Sequence, residues 1–233
     1  MIRRWLIGFF VCLLIGGAVY ISENREPTVA TSTLEIPQQL PTIIVDAGHG
    51  GIDTGTSGHD GTAEKDLNLA ISFRLKELLQ QCGFRVIMTR ETDTLIGAGD
   101  AQTIRGRKQQ DLSARLALTQ SESPCVLVSI HQNYYTDGKY DGAQVFYTEN
   151  HQKNQPLAQA IQHRIQTHLQ PNNDRQIKTV GSEIFLLYHC QAPAVMVECG
   201  FMSNEKELSL LKNEEYQSQM AFCIAMGLFD CYL

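Results

Sequence analysis

Two histidines and two glutamates stand at points of this sequence where apolar runs end or a helix begins. His49 follows the run in "IIVDAGHGG", His131 closes "CVLVSIH" and Glu198 closes "AVMVE". Glu64 stands just before the first amphipathic segment, on the far side of a glycine-rich loop. In open α/β sheets, ligand sites gather at the carboxyl ends of the strands. We therefore expect the four side chains to meet at one rim of a sheet.

The chemistry of this set is that of a catalytic zinc centre. Such a centre takes three protein ligands and leaves one position for water, and two histidines with one glutamate are an established set. The second glutamate would then serve as general base toward the water. A single loop histidine is more often solvated, and an acid such as Glu64 is also favoured by the dipole of the helix it precedes. The hypothesis therefore depends on the four residues together.

The elements predicted around these residues alternate between strands and helices. Apolar runs and composition predict strands at 42–46, 84–89, 125–131, 142–148, 184–187 and 194–198. Helical spacing predicts helices over 65–81, 111–119 and 156–169, one capped by Asn204 with Glu207 in a capping box, and a last one through 228. The polar stretch 90–110 between them predicts a long surface loop. The fold class is α/β: a single three-layer domain with a mixed, mostly parallel central sheet and helices on both faces.

Composition and charge exclude other classes of protein. The chain has 233 residues, of which 43% are hydrophobic and 19% charged, which indicates a globular protein rather than a disordered one. Its net charge of -6 argues against a general nucleic-acid binder. None of its 7 cysteines form a CxxC pair, which argues against a thiolate zinc cluster.

The first residues predict an extracytoplasmic domain. Two arginines precede an uncharged run of 17 residues, Trp5 to Ile21, and "SENREP" follows it. This pattern is typical of a membrane anchor with its C-terminal side outward, or of a cleaved signal peptide. Residues 1–21 are accordingly interpreted as anchor or signal peptide, 22–41 as a polar, proline-containing linker, and 42–233 as the catalytic domain.

Several motifs in a fixed order then resemble a known family. "VDAGHGGIDTG", "EKDLNLAISFRLKELL", "MTRETD", "LSARLAL", "VSIHQN" and "VMVECGFMSNEKE" together resemble the zinc-dependent N-acetylmuramoyl-L-alanine amidases of the amidase-3 type, over residues 42 to about 231. The single domain, the absence of wall-binding repeats and the stretch "RGRKQQDLSAR" resemble the germination-specific spore-cortex amidases most.

This resemblance implies roles for the four residues. His49, Glu64 and His131 would be the ligands of Zn²⁺, and Glu198 the catalytic carboxylate. The substrate would be the peptidoglycan glycan strand with its stem peptide, cut at the amide between N-acetylmuramic acid and L-alanine. In spore-cortex members, a separate deacetylase cooperates to convert the stripped muramic acid to muramic δ-lactam. The alternatives are a vegetative amidase of division or remodelling, a zinc peptidase on wall peptides, and a non-catalytic wall-binding module, which the complete set of four residues argues against.

Other expectations concern partners and neighbouring residues. An activating partner protein could dock on the domain or order the loop 90–110. The N-terminal segment would attach the protein to the membrane. The corresponding location is extracytoplasmic and could be the forespore intermembrane space. Asp46 and Asn133 are candidates to orient the histidines, or else are ordinary turn residues. The sequence departs from the family at two positions, Ala47 and Gln132. Three arginines could bind the acidic stem peptide or pair with structural acids: Arg90, Arg115 and Arg175.

Overall fold

The strands pair in an order that brings the ends of three parallel strands side by side. The computed structural model describes residues 40–97, 99 and 101–233. In this part of the chain the strands are β1 (Thr42–Ala47), β2 (Val86–Met88), β3 (Cys125–Asn133), β4 (Gln144–Tyr147), β5 (Lys178–Thr179) and β6 (Ala194–Phe201). They form one sheet in the order β2-β1-β3-β6-β4-β5, in which only the β4–β6 pairing is antiparallel. The carboxyl ends of β1, β3 and β6 therefore lie at the same edge.

Helices cover both faces of this sheet. They are α1 (Glu64–Gln81), α2 (Ile104–Ser121), α3 (Asn154–His168), α4 (Phe185–His189), α5 (Glu205–Leu211) and α6 (Glu214–Tyr232). One core cluster contains side chains of α1, α3, α5 and α6, and a second, on the opposite face, contains side chains of α2 and α4. The predicted three-layer α/β fold with a mixed, mostly parallel sheet is confirmed.

The apolar runs of the central strands follow from this burial on both faces. In β1, Ile43 and Val45 belong to the first cluster and Ile44 to the second, and all three are fully buried. Successive side chains of a strand point to opposite faces, so a strand covered on both sides is apolar throughout. Each such side chain contributes on the order of 2 kcal/mol of burial free energy. The sheet that positions the strand ends is thus a rigid, closely packed platform.

The structure corrects three local predictions. The loop predicted over 90–110 ends at Thr103, because α2 begins at Ile104 and the Thr103 hydroxyl accepts a hydrogen bond from the Gly106 amide at 3.0 Å. The strand predicted over 184–187 is wrong: this run enters helix α4, where the Tyr188 amide donates to the Ile184 carbonyl at 3.0 Å. A short apolar run does not distinguish a buried strand from a buried helical turn by its periodicity.

The third correction concerns the helix that Asn204 caps. Its side chain does accept from the Lys206 and Glu207 amides, as predicted. Glu207 does not complete a capping box, since its two carboxylate oxygens accept from the amides of Phe201 and Gly142 instead. Glu207 therefore joins the end of β6 to the residues just before β4.

The N-terminal predictions lie outside the described residues. The anchor or signal at 1–21 and the linker at 22–41, except for its last two residues, fall in this category. Residues 40–233 form one compact unit. Among the residues described, no helix has both the length and the hydropathy needed to cross a bilayer.

Candidate metal and catalytic site

Three of the four predicted residues meet at the edge where β1 and β3 end. Glu64, the first residue of α1, lies between the two imidazoles: its Oε2 is 3.3 Å from His49 Nε2 and its Oε1 is 2.9 Å from His131 Nδ1. One donor atom from each residue lies within 4.8 Å of the others. Two imidazole nitrogens and a carboxylate oxygen thus converge on one point.

The turn after β1 aims His49 at this point. His49 has a φ of +62°, the only positive φ of a non-glycine residue in the described chain. Its Nδ1 donates to Asp53 Oδ2 at 2.9 Å, which leaves Nε2 facing Glu64. Burial tends to lower the pKa of His49, but the bonds to Asp53 and Glu64 outweigh it and raise the pKa to about 9. The ring is therefore fixed in orientation by a carboxylate behind it, as metal-binding histidines commonly are.

Backbone amides and one side chain hold the carboxylate of Glu64. Its Oε2 accepts from the Thr56 amide at 2.9 Å, and its Oε1 accepts from the Gln132 amide at 3.1 Å and from Asn68 Nδ2 at 3.3 Å. Burial would raise the pKa of Glu64, but the hydrogen bonds and charges of His131 and His49 lower it below its usual range. Glu64 is therefore an ionised carboxylate at neutral pH.

Glu198 lies beside this cluster on the next strand. It pairs in register with His131 across β3 and β6. The residue is half-buried, but its Oε2 is buried and has no hydrogen-bond partner among the described residues. Burial raises the pKa of Glu198 to about 7, against the attraction of His131 and with the repulsion of Glu64. An unpaired buried carboxylate oxygen of this pKa is suited to exchange a proton near neutral pH.

The donor set fits a divalent cation. A cation at this point would balance the two carboxylates, Glu64 and Glu198, that the fold places side by side. Two imidazoles with one carboxylate are donors that suit zinc, and they leave positions for non-protein ligands. Glu198 lies next to the cluster rather than in it: it pairs in register with His131, and the three donor atoms that lie together belong to His49, Glu64 and His131.

A small cavity adjoins the cluster. It has a volume of about 220 Å³ and begins at His49 and His131. Its lining also includes apolar side chains, among them Phe185 of α4 and Met196 of β6, and charged ones such as Glu183. At its margin Lys108 Nζ lies 2.6 Å from Asp53 Oδ1, so α2 is joined to the acid that orients His49. The cavity thus leaves room for part of a ligand beside the two histidines, between charged and apolar side chains.

The residues expected to orient the histidines do not do so in the described chain. Asp46 accepts from Thr89, Ser129 and Arg115 instead, and Asn133 accepts from the amide of Tyr134 in a local turn. Asp53 and Asn68, which the sequence motifs do not single out, bond His49 and Glu64 instead. Their signal was present, because Asp53 is four residues after His49 and Asn68 is one helical turn after Glu64.

The three arginines differ in their surroundings. Arg90 and Arg115 are 3% and 2% exposed and bond to groups of the protein itself. Arg175 lies over the rings of Phe201 and Tyr140. The departure at Gln132 has a local role as well, since its Nε2 donates to Asn68 Oδ1 at 3.1 Å. The structure gives no reason for alanine rather than proline at position 47.

Comparison with known proteins adds to this geometry. The family model described as N-acetylmuramoyl-L-alanine amidase (Amidase_3) matches residues 43–230. The germination-specific N-acetylmuramoyl-L-alanine amidase of Bacillus subtilis (strain 168) is 33% identical, over 96% of this chain and 91% of that protein.

Solved structures agree with the family match. The CwlD amidase from Clostridioides difficile, determined in complex with the GerS lipoprotein, is 39% identical, with a TM-score of 0.77 over 82% of this chain and 97% of that one. The amidase AmiC2 of Nostoc punctiforme is 26% identical, with a TM-score of 0.69 over 82% of this chain and 96% of that one. The sheet and helices that carry the cluster are thus those of these amidases.

Proposed function

This chain belongs to the Amidase_3 family of N-acetylmuramoyl-L-alanine amidases, and from that premise we propose that it is a zinc enzyme whose ligands are His49, Glu64 and His131 and whose catalytic carboxylate is Glu198. That it is an N-acetylmuramoyl-L-alanine amidase of peptidoglycan follows from the family and the named relatives. The observation that carries the zinc proposal is the convergence of three donor atoms beside the unpaired Oε2 of Glu198.

In the proposed hydrolysis, the three ligands hold the metal ion and Glu198 transfers the proton. When bound, Zn²⁺ supplies a Lewis acid that polarises the lactyl carbonyl and lowers the pKa of a water molecule. Glu198, with its unpaired Oε2, would accept a proton from the attacking water as the water oxygen adds to the lactyl carbonyl carbon. It then delivers the proton to the nitrogen of L-alanine as the carbon–nitrogen bond breaks. The products are the free lactyl carboxylate and a stem peptide with a new amino terminus.

A zinc peptidase would use the same donor set, and the bond that is cut distinguishes the two activities. We expect incubation of the protein with purified peptidoglycan to release stem peptides whose amino terminus is L-alanine, detected by mass spectrometry after dansylation. A stem peptide lacking muramic acid serves as the control and should remain intact. Cleavage inside that free peptide, without release of alanine termini from peptidoglycan, would contradict the amidase assignment.

We place the enzyme in spore-cortex maturation, with muramic δ-lactam as the final product of its pathway. This rests on the likeness to the germination-specific amidase of Bacillus subtilis and to CwlD of Clostridioides difficile. A deacetylase acting on the same muramic acid is the required cooperating enzyme, because lactam closure needs a free amine as well as the free lactyl carboxylate. Deletion of the gene should abolish cortex δ-lactam and leave vegetative growth normal. Lactam at the parental level, or a defect in cell separation, would favour the vegetative role.

The relatives also support an activating partner and a location. The structure of the Clostridioides difficile amidase contains the GerS lipoprotein, and a protein partner of this kind is proposed here too. Cell-wall relatives imply extracytoplasmic action. The forespore intermembrane space, with residues 1–21 as anchor or signal, is the corresponding proposal for this chain, and a cell-fractionation experiment with a C-terminal tag tests it.

A further inference from the structure

The turn that carries His49 is held by the segment that follows β2. The side chain of Arg90 reaches three consecutive carbonyls of this turn. Its Nε donates to the carbonyls of Ala47 at 2.9 Å and His49 at 2.7 Å, and its Nη2 donates to that of Gly48 at 3.1 Å. Nη2 also donates to the carbonyl of Lys65, at 2.7 Å, one residue beyond Glu64. One side chain therefore joins the backbones next to two of the proposed metal ligands.

Arg90 is an unusual residue for such a place. It is 3% exposed, and it forms no salt bridge with any carboxylate among the described residues. Burying a guanidinium is costly unless its donors are satisfied. Here its planar fork of donors is matched to backbone carbonyls, an arrangement that the single ammonium of a lysine does not reproduce.

Asp93 holds the same turn two residues further along, at Gly51. Its Oδ1 accepts from the Gly51 amide at 2.7 Å, and its Oδ2 lies 2.6 Å from Lys65 Nζ. Lys65 Nζ in turn donates to the Gly51 carbonyl at 2.9 Å. The Asp93 side chain is about half exposed, at 51%, so this contact lies at the surface.

The turn needs this support because its backbone is strained. His49 has a φ of +62°, in the left-handed region that is unfavourable for a residue with a Cβ. Such a conformation persists only where its surroundings fix it. The contacts of Arg90 and Asp93 supply that fixation from one side, and Arg115 Nη2 adds a bond to the His49 carbonyl at 2.7 Å from α2.

We propose that Arg90 and Asp93, together called the brace, are positioning residues for His49: they hold the backbone of its turn so that the ring stays beside Glu64. Zinc affinity therefore depends on them, although neither bonds the two imidazoles or the carboxylate of Glu64. This inference rests on the proposed zinc function. It also joins the loop after β2 to the metal site, so a change in that loop alters the loading of the site with zinc.

The test measures zinc binding and the stability of the metal-free protein separately. The Kd for Zn²⁺ is measured by competition with a chromophoric chelator for the parent, Arg90→Lys and Asp93→Ala. The control is Arg74→Lys, because Arg74 Nη1 also donates to a backbone carbonyl, that of Ala70, but lies on α1 away from the turn. Thermal unfolding of each protein in EDTA reports whether it is folded without metal.

The brace predicts a Kd raised about 10–100-fold in Arg90→Lys, the range found for residues that orient metal ligands. It predicts a smaller rise, of about threefold or more, in Asp93→Ala, and a change within about twofold in Arg74→Lys. If Arg90→Lys and Asp93→Ala are both folded and bind Zn²⁺ with the parental Kd, the proposed positioning role is overturned, even if the Tm of the metal-free variants is lower. If Arg90→Lys does not fold, the exposed Asp93→Ala decides. A parent protein that binds no zinc overturns the metal site itself, which is a different result.

Discussion

Two glutamates of the site have their pKa values moved in opposite directions by their surroundings. Glu64 is held by backbone amides and lies between two imidazoles, which lower its pKa. Glu198 Oε2 is buried and has no hydrogen-bond partner in the described chain, and burial raises the pKa of Glu198 to about 7. Opposed shifts of this kind identify which of two carboxylates stays ionised and which exchanges protons. They support Glu64 as ligand and Glu198 as base.

Asp53 is the residue on which the orientation of His49 most directly depends. Asp53→Ala removes the acceptor of His49 Nδ1, so the ring is free to rotate and to change tautomer. We expect the affinity for Zn²⁺ to fall about 10–100-fold, measured by isothermal titration calorimetry. Asp60→Ala is the matched control, because Asp60 forms a surface pair with Lys212. Equal affinities in the two variants would contradict the role of Asp53.

The lowered pKa of Asp46 predicts how the stability of the fold depends on pH. Burial opposes its ionisation, but Arg115 and the Ser129 hydroxyl outweigh burial and lower the pKa of Asp46 to about 2, against about 3.9 in an unfolded chain. Because the folded pKa is the lower one, the stabilisation is complete above about pH 4 and is lost as the pH falls toward 2.

Replacement of Asp46 by asparagine tests this dependence. At pH 7, Asp46→Asn should lower the free energy of unfolding by about 3 kcal/mol, since the buried Arg115 loses one of its two carboxylate partners. Between pH 5 and pH 2, its stability should fall less steeply than that of the parent in urea titrations. Parallel pH profiles for parent and variant would show that Asp46 does not carry this dependence.

The meeting of His49, Glu64 and His131 could be predicted from sequence, because their types and their places after a strand, at the start of a helix and near the end of a strand are local properties. The supporting residues could not. Asp46 and Asp53 both flank His49 within a few residues, and only the left-handed turn at His49 decides which of them its ring meets. The partners of Arg90 and Arg115 depend on backbone carbonyls that only the folded turn brings together.

At the scale of elements, close contact between the turn after β1 and the end of β3 makes one glycine essential. A Cβ on Gly48 would overlap the imidazole ring of His131. We expect Gly48→Ala to displace that ring and to reduce both zinc content and amidase activity by at least about tenfold.

Gly61→Ala is the matched control for that substitution. Gly61 has a φ of +85° and open space around its Cα, so alanine there costs about 1 kcal/mol of stability without touching the site. Zinc content is measured by atomic emission on the purified proteins. Full zinc content and activity in Gly48→Ala would show that the close approach of turn and strand is not required.

The elements differ in how well the sequence predicted them. The buried strands β1, β3 and β6 were predicted, because continuous apolar runs at this length reflect burial on both faces. Ile184 to Leu187 is equally apolar but enters a helical turn, since tertiary packing on the second face of the sheet decides its conformation. The first turn of α2 was missed because it is polar and contains Gly106, and its helical start depends on the Thr103 cap.

In the described domain as a whole, the order of the strands brings the site residues to one edge of the sheet. Parallel strands β1, β3 and β6 end at one edge, and α1 begins there, so one fold-level arrangement supplies all four residues. A cation bound by His49 of the turn after β1, Glu64 of α1 and His131 of β3 would join elements that are distant in sequence. Its binding free energy therefore adds to the stability of the whole domain.

Metal removal should consequently lower the stability of the domain as a unit. At a free Zn²⁺ concentration of about 100 times the Kd, binding stabilises the folded state by about 2.7 kcal/mol. For a domain of this size, EDTA should then lower the Tm by roughly 5–10 °C, in one cooperative transition measured by calorimetry. Re-addition of Zn²⁺ should restore the Tm, and Mg²⁺, which prefers oxygen ligands, should not. A Tm that EDTA leaves unchanged would argue against the metal site.

The most direct test is stem-peptide release from peptidoglycan by Glu198→Gln, measured beside its zinc content. The substitution keeps the shape of the side chain and removes its ability to accept a proton. We expect the parental zinc content and a release rate lower by about 10²–10⁴-fold. Release at the parental rate by the zinc-loaded variant would contradict the assignment of Glu198 as the catalytic carboxylate and, with it, the proposed mechanism of this site.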